Sequence, residues 1–170
     1  MRLRGKEEVE ACGYGWEDRG ARCDEFLEVM RRLWTEEVVD FHGKWVNFES
    51  CRLDPKPIQK PHAPIIVGGH GAPSLRRAVR FGAGWYGFSL DPAATRDALV
   101  RLDAAFAKTG RTRGPEFEII ITPPIGMPVN AMEEYAALGV HRLVVNLGSQ
   151  RAERVDARLA EIAPLVGAFG

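Results

Sequence analysis

The sequence predicts an α/β protein built on a parallel sheet, and three observations carry that prediction. From residue 63 onward, short apolar runs alternate with amphipathic helical segments. The runs are apolar at consecutive positions, as strands covered on both faces require. Glycine, proline and aspartate stand at the junctions, where helices start and stop. Strand–helix–strand connections of this length are right-handed crossovers that lay successive strands side by side. Four such β/α units follow one another, which is half of an eight-fold barrel or a small doubly wound sheet.

The elements follow in order. "EDRGARCDEFLEVMRRLW" (Glu17 to Trp34) reads as a helix whose apolar face is Phe26, Val29, Met30 and Leu33. Acidic Asp24 and Glu25 precede basic Arg31 and Arg32, an order that suits the helix dipole. "VVDFHGKWVNFES" alternates apolar and polar residues around His42-Gly43-Lys44 and predicts a hairpin. "LDPKPIQKPHAP" carries four prolines, each without a backbone donor, and predicts an extended connector. "PIIVGG" is a short strand, and "APSLRRAVRFG" a helix with Leu75, Ala78 and Val79 on one side and Arg76, Arg77 and Arg80 on the other. "GWYGFS" is the second strand. "DPAATRDALVRLDAAFAKTG" is a long helix capped by Asp91, with Pro92 at its first position and Gly110 as its stop. "EFEIIITPP" and "VHRLVVNLG" are the third and fourth strands, each followed by a helix, "NAMEEYAALG" and "SQRAERVDARLAEIAPLV". Residues 1–170 read as one domain, with helix, hairpin and proline-rich connector in 1–62 and four β/α units in 63–170.

Charge excludes several functions. The 23 basic and 23 acidic residues balance, so there is no electrostatic footprint for nucleic acid or an acidic membrane. No apolar run approaches the roughly 20 residues that cross a bilayer. The start, "MRLRGKEEVE", has no apolar region behind its positive charge and does not read as a secretory signal. Cys12, Cys23 and Cys51 are odd in number and widely spaced, which fits a reducing, cytoplasmic setting better than a disulfide framework. His42, His62 and His141 are isolated from one another, so no metal site is expected. No Ser-His-Asp order and no paired-carboxylate motif appears, and no catalytic residue is singled out.

The stretch "IIVGGHGAPS" is the chemical signal. Val67 ends a strand, Gly68, Gly69 and Gly71 form a turn, and Ala72, Pro73 and Ser74 begin a helix. Backbone N–H groups in such a turn can face a phosphate because no side chain blocks the approach, and the helix adds its positive end. The same glycines also permit a plain tight corner, and the pattern is not the dinucleotide fingerprint. His70 is either a donor to a ligand or a solvated loop histidine. Trp85 is either a flat pocket wall or a core aromatic. Arg76, Arg77 and Arg80 read as a solvated face. Asn146 lies where barrel sites are built or caps the next helix.

"RGARCDEFLEVMRRLWTEEVVDFHGKWVNFE", followed by "PKPIQKPHAPIIVGGHGAPSLRRAVRFGAGW", resembles the luciferase-like monooxygenase family, most of all its branch that uses the deazaflavin coenzyme F-420. The order of motifs carries the resemblance: Arg-Gly-Ala-Arg, Leu-Trp-Thr, a Phe-x-Gly hairpin, Pro-Lys-Pro, the Gly-Gly turn, then Gly-Trp. "LGVHRLVVNL" resembles the family's final barrel strand.

The resemblance implies a partial (β/α)8 barrel: strands five to eight and their helices, preceded by the hairpin excursion, with the chain starting inside the connection after strand four. "MRLRGK" departs from the family pattern. It further implies hydride transfer or oxygenation of a small organic substrate with coenzyme F-420, or alternatively flavin mononucleotide (FMN). Val67, Gly68, Gly69, His70, Gly71, Ala72, Ser74 and Trp85 are the implied cofactor contacts. A second expectation is non-enzymatic: an inactive half-barrel whose open side is covered by a second copy or a partner chain.

Overall fold

The computed structural model describes residues 5–128, 131–147 and 151–166. The chain forms two compact units, Met1–Pro64 and Ile65–Gly170.

In the first unit, helix α1 (Gly5–Ala11) precedes helix α2 (Arg19–Thr35), which is followed by strands β1 (Val39–His42) and β2 (Asn47–Cys51). Helix α1 is not among the predicted elements; the sequence there reads as connection. Its signal is modest, two acids in the first turn. Strands β1 and β2 form the expected antiparallel hairpin, with a register irregularity between Val39 and Phe41. A carboxylate organises its turn. Glu25 accepts from the backbone N–H groups of Lys44, Trp45 and Val46 at 2.8–3.0 Å. Partial desolvation pushes the Glu25 carboxyl up, but those three bonds and the Arg22 charge outweigh it and hold the group below its ordinary range. The proline-rich connector carries cis peptides at Asp54–Pro55 and Lys60–Pro61.

The second unit is the β/α series. Its elements are β3 (Ile66–Gly68), α3 (Ala72–Phe81), β4 (Gly84–Phe88), α4 (Pro92–Ala107), β5 (Glu118–Thr122), α5 (Met132–Ala137), β6 (Arg142–Leu143) and α6 (Ala152–Val166). The four strands pair in chain order, β3-β4-β5-β6, and every pair is parallel. This is the sheet that three consecutive right-handed crossovers build. Asp91 caps α4 as expected, accepting from the Ala94 N–H at 2.7 Å. Gly110 has φ +69° just beyond the end of that helix. Strand β6 and helix α5 are shorter than their apolar patterns suggest. The expected helix starts at Asn130 and Ser149 lie outside the described residues.

Pairing register decides which face each side chain takes. Val67, Trp85 and Ile119 stand side by side, as do Gly87 and Ile121 one row on. This face is buried against helix residues that include Leu75, Val79, Leu99, Leu102 and Phe106. Opposite it lie Gly68, Tyr86 and Ile120 in one row, and Phe88 and Thr122 in the next. On that second face Gly68 and Phe88 are exposed and Tyr86 is half-buried.

Candidate functional site

The site is built where β3, β4 and β5 end. Strand β3 runs one residue further than the sequence suggests, to Gly68, which pairs with Tyr86. Gly69 then turns the chain at φ +113°, a conformation open to glycine and strained for other residues. Its N–H donates to the Tyr86 carbonyl at 3.3 Å. Its own carbonyl accepts the Trp85 indole N–H at 2.8 Å. A Cβ on Gly69 would stand 2.6 Å from the Ser74 hydroxyl oxygen, so Ser74 closes over this corner.

The amides that follow are the candidate cradle. Among the described residues, the N–H groups of His70, Gly71, Ala72 and Ser74 have no hydrogen-bond partner. Pro73 has no N–H to leave unpaired, and Leu75 is the first residue to close a helical bond, to the Gly71 carbonyl. Four orphan donors at a helix start, on a turn with glycine on either side of His70, can receive an anionic group.

His70 is held from two sides. Its Nε2 accepts the Phe88 N–H at 3.1 Å, so the ring proton sits on Nδ1, which is the nitrogen left to donate. Its carbonyl accepts from Arg101 at 3.3 Å. Of the two roles open to Trp85, the structure gives the core one: it is fully buried and reaches the turn only through its indole nitrogen. It also meets His70 edge to face, with centroids 6.3 Å apart. Arg76 and Arg80 are exposed and Arg77 is half-buried, and Asn146 is exposed beyond β6.

Sequence reasoning missed the pair that faces the other way. The Tyr86 hydroxyl lies 2.7 Å from the Thr122 hydroxyl, across β4 and β5 at their carboxyl ends. Adjacent aromatics on a strand take opposite faces, so a buried Trp85 sends Tyr86 to the open one. That alternation was the available signal. Its partner, 36 residues away, could be found only from strand register. Tyr135, by contrast, is structural: it is fully buried and donates to the Leu90 carbonyl at 2.7 Å. Burial, aided by Asp91 and Glu134, pushes its pKa up to about 12. No group of three or more His, Cys, Asp or Glu side chains able to hold a metal occurs among the described residues. Nor do they contain a helix long and apolar enough to cross a membrane.

Residues 4–163 match the family model for luciferase-like monooxygenases. An uncharacterised protein of Mycobacterium tuberculosis is 32% identical over 139 residues, 82% of this chain and 46% of that protein. The FMNH(2)-dependent dimethylsulfone monooxygenase of Pseudomonas putida is 34% identical over 84 residues, 48% of this chain and 23% of the enzyme. Among solved structures, an F-420-dependent secondary alcohol dehydrogenase superposes with a TM-score of 0.75 at 12% identity, covering 95% of this chain and 66% of that one. A monooxygenase from Streptomyces bottropensis gives 0.58 at 24%, covering 96% and 46%. The chain thus spans about half the length of several curated relatives that it matches, 46% in one case.

Proposed function

Because the chain belongs to the luciferase-like monooxygenase family, we propose that it is the carboxyl-terminal part of a flavin-type oxidoreductase barrel, and that its glycine turn cradles the phosphate-bearing chain of the cofactor. Coenzyme F-420 is the first choice, on the likeness of the Pro-Lys-Pro to Gly-Gly-His stretch to that branch, and FMN is the alternative. One observation carries the reading: four unpaired N–H groups, of His70, Gly71, Ala72 and Ser74, on a turn whose carbonyl is tied back. The same observation makes the residues fit the group, since an anion with several acceptor oxygens is what such donors lack.

When bound, the isoalloxazine-type ring supplies the centre that gives or accepts a hydride. The chain's residues then have separable tasks. Val67 and Gly68 end the strand without a bulky side chain on the open face, so backbone and ligand can approach closely. Trp85 holds the Gly69 carbonyl away from the cradle, which leaves donors facing an anion. His70, with its proton on Nδ1, offers one further donor, and the Ser74 hydroxyl another. The half-buried Tyr86 hydroxyl, held by the buried Thr122 hydroxyl, is suited to meet a substrate oxygen. The remaining wall of the barrel comes from a further β/α segment, and the reading includes association with a second copy or a partner chain over the open side.

The alternative reading is an inactive half-barrel whose only task is that association. The observation behind it is the sheet itself: β3 and β6 are edge strands, and Phe88 (52%) and Val144 (45%) are exposed. Both readings place the chain in a reducing, cytoplasmic setting, in keeping with three exposed free thiols. Fluorescence titration of the purified chain with F-420 and with FMN, beside its mass in solution by sedimentation, separates them. Saturable binding by an assembled species is the expected result. An assembled species that binds neither cofactor leaves the inactive module.

A further inference from the structure

A cavity of about 220 Å³ lies between α3 and α4, lined by Ala72, Leu75, Arg76, Arg101, Ala104, Ala105 and Lys108. Its composition is lopsided. Three side chains carry positive charge, the other four are apolar, and no carboxylate is among them. Arg76 and Lys108 have no ion-pair or hydrogen-bond partner among the described side chains, and the bond that Arg101 makes is to the neutral His70 carbonyl. The nearby acids are committed or absent from the lining. Asp103 pairs with Arg113 at 2.7 Å, and Asp91 caps α4.

Arg76, Arg101 and Lys108 are exposed around this open cleft, so water screens their mutual repulsion, and an anion among them would gain from all three. Two are guanidinium groups, whose planar forks match paired anionic oxygens, and the third is an ammonium point charge. Leu75, Ala72, Ala104 and Ala105 give an apolar floor that suits an organic remainder. We infer that this groove is a second binding site, for a small phosphomonoester, its phosphate held by Arg76, Arg101 and Lys108. The groove is joined to the glycine turn, because Arg101 also holds the His70 carbonyl and Ala72 belongs to both. A ligand that draws on Arg101 therefore acts on the turn. The inference needs no cofactor in the cradle and stands apart from the proposed function.

The test is calorimetric titration of the full chain with inorganic phosphate and with glycerol 3-phosphate, with sulfate as a non-phosphate control. Arg76→Gln and Lys108→Gln are compared with Arg80→Gln, an exposed arginine on the same helix outside the lining. Saturable binding of the phosphomonoester is expected, weakened at least tenfold by Arg76→Gln and by Lys108→Gln and unchanged by Arg80→Gln. Repeating the titration with saturating FMN or F-420 distinguishes the source of the phosphate. Binding that persists marks an independent metabolite, as inferred; complete displacement marks the cofactor's own phosphate and overturns a second site. Absence of binding, or equal weakening by all three variants, also overturns it. Thermal melts of the three exposed-site variants establish that each is folded.

Discussion

The two faces of the four-stranded sheet are built from the same strands and follow opposite rules, and two glycines of those strands make the difference measurable. Gly87 lies on the helix-covered face. A Cβ there would stand 2.6 Å from Leu90, 2.8 Å from Ile121 and 2.8 Å from Trp85, so packing alone demands glycine. Gly68 lies on the other face. A Cβ there would meet its nearest atom, in the Tyr86 ring, at 3.6 Å, an ordinary contact. Its backbone is not in the left-handed region either. Neither packing nor conformation explains the missing side chain at 68. Close approach by a ligand, as the proposed function requires, would account for it. One face fills its space with side chains, and the other leaves Gly68 and Phe88 exposed beside buried Ile120 and Thr122.

The largest expected effect lies on the sealed face. Trp85→Ala removes a fully buried indole and the bond that ties back the Gly69 carbonyl. A loss of about 3–5 kcal/mol in denaturant unfolding is expected; a loss under about 1 kcal/mol would mean that this face is not the core. Next comes Gly87→Ala, where overpacking should cost about 1–3 kcal/mol.

Tyr135→Phe is expected to cost about 1–3 kcal/mol by leaving the buried Leu90 carbonyl unpaired. It also carries a pH signature. The folded pKa is raised to about 12, so the fold favours the protonated phenol. That contribution is complete below the ordinary tyrosine value of about 10 and is lost as pH climbs through 12. Stability measured between those values should fall less steeply in the variant than in the parent. The smallest effect on stability belongs to Gly68→Ala, within about 0.5 kcal/mol of the parent. It should nevertheless weaken F-420 or FMN binding at least tenfold. A variant pair in which Gly68→Ala unfolds the protein and Gly87→Ala does not would invert the comparison.

Much of this architecture was legible in the sequence, because local rules govern it. Continuous apolar runs gave the buried strands, Asp91-Pro92 the start of α4 and Gly110 its end. The His42-Gly43-Lys44 turn gave the hairpin. What stayed hidden depends on register or on distance. The Tyr86–Thr122 pair spans 36 residues, and the bond from the Phe88 N–H to His70 spans 18. Neither follows from periodicity until the strands are aligned. Trp85 drew attention as the large aromatic beside the glycines, yet the alternation of a strand sends it inward and its neighbour Tyr86 to the open face. Helix α1 went unread because its seven residues carry no buried side chain, and so no apolar stripe announces it.

The central claim is that the amides of the glycine turn wait for an anionic, phosphate-bearing cofactor. The most direct measurement is the backbone amide NMR spectrum of the isotopically labelled chain, recorded during titration with F-420 and with FMN. The account predicts that the largest saturable shifts fall on the amides of His70, Gly71, Ala72 and Ser74 together with the Trp85 indole N–H, and that Gly110, a solvent-exposed turn of the same unit, stays still. Binding that leaves those four amides unmoved, or no binding by any assembly the chain forms, would contradict it.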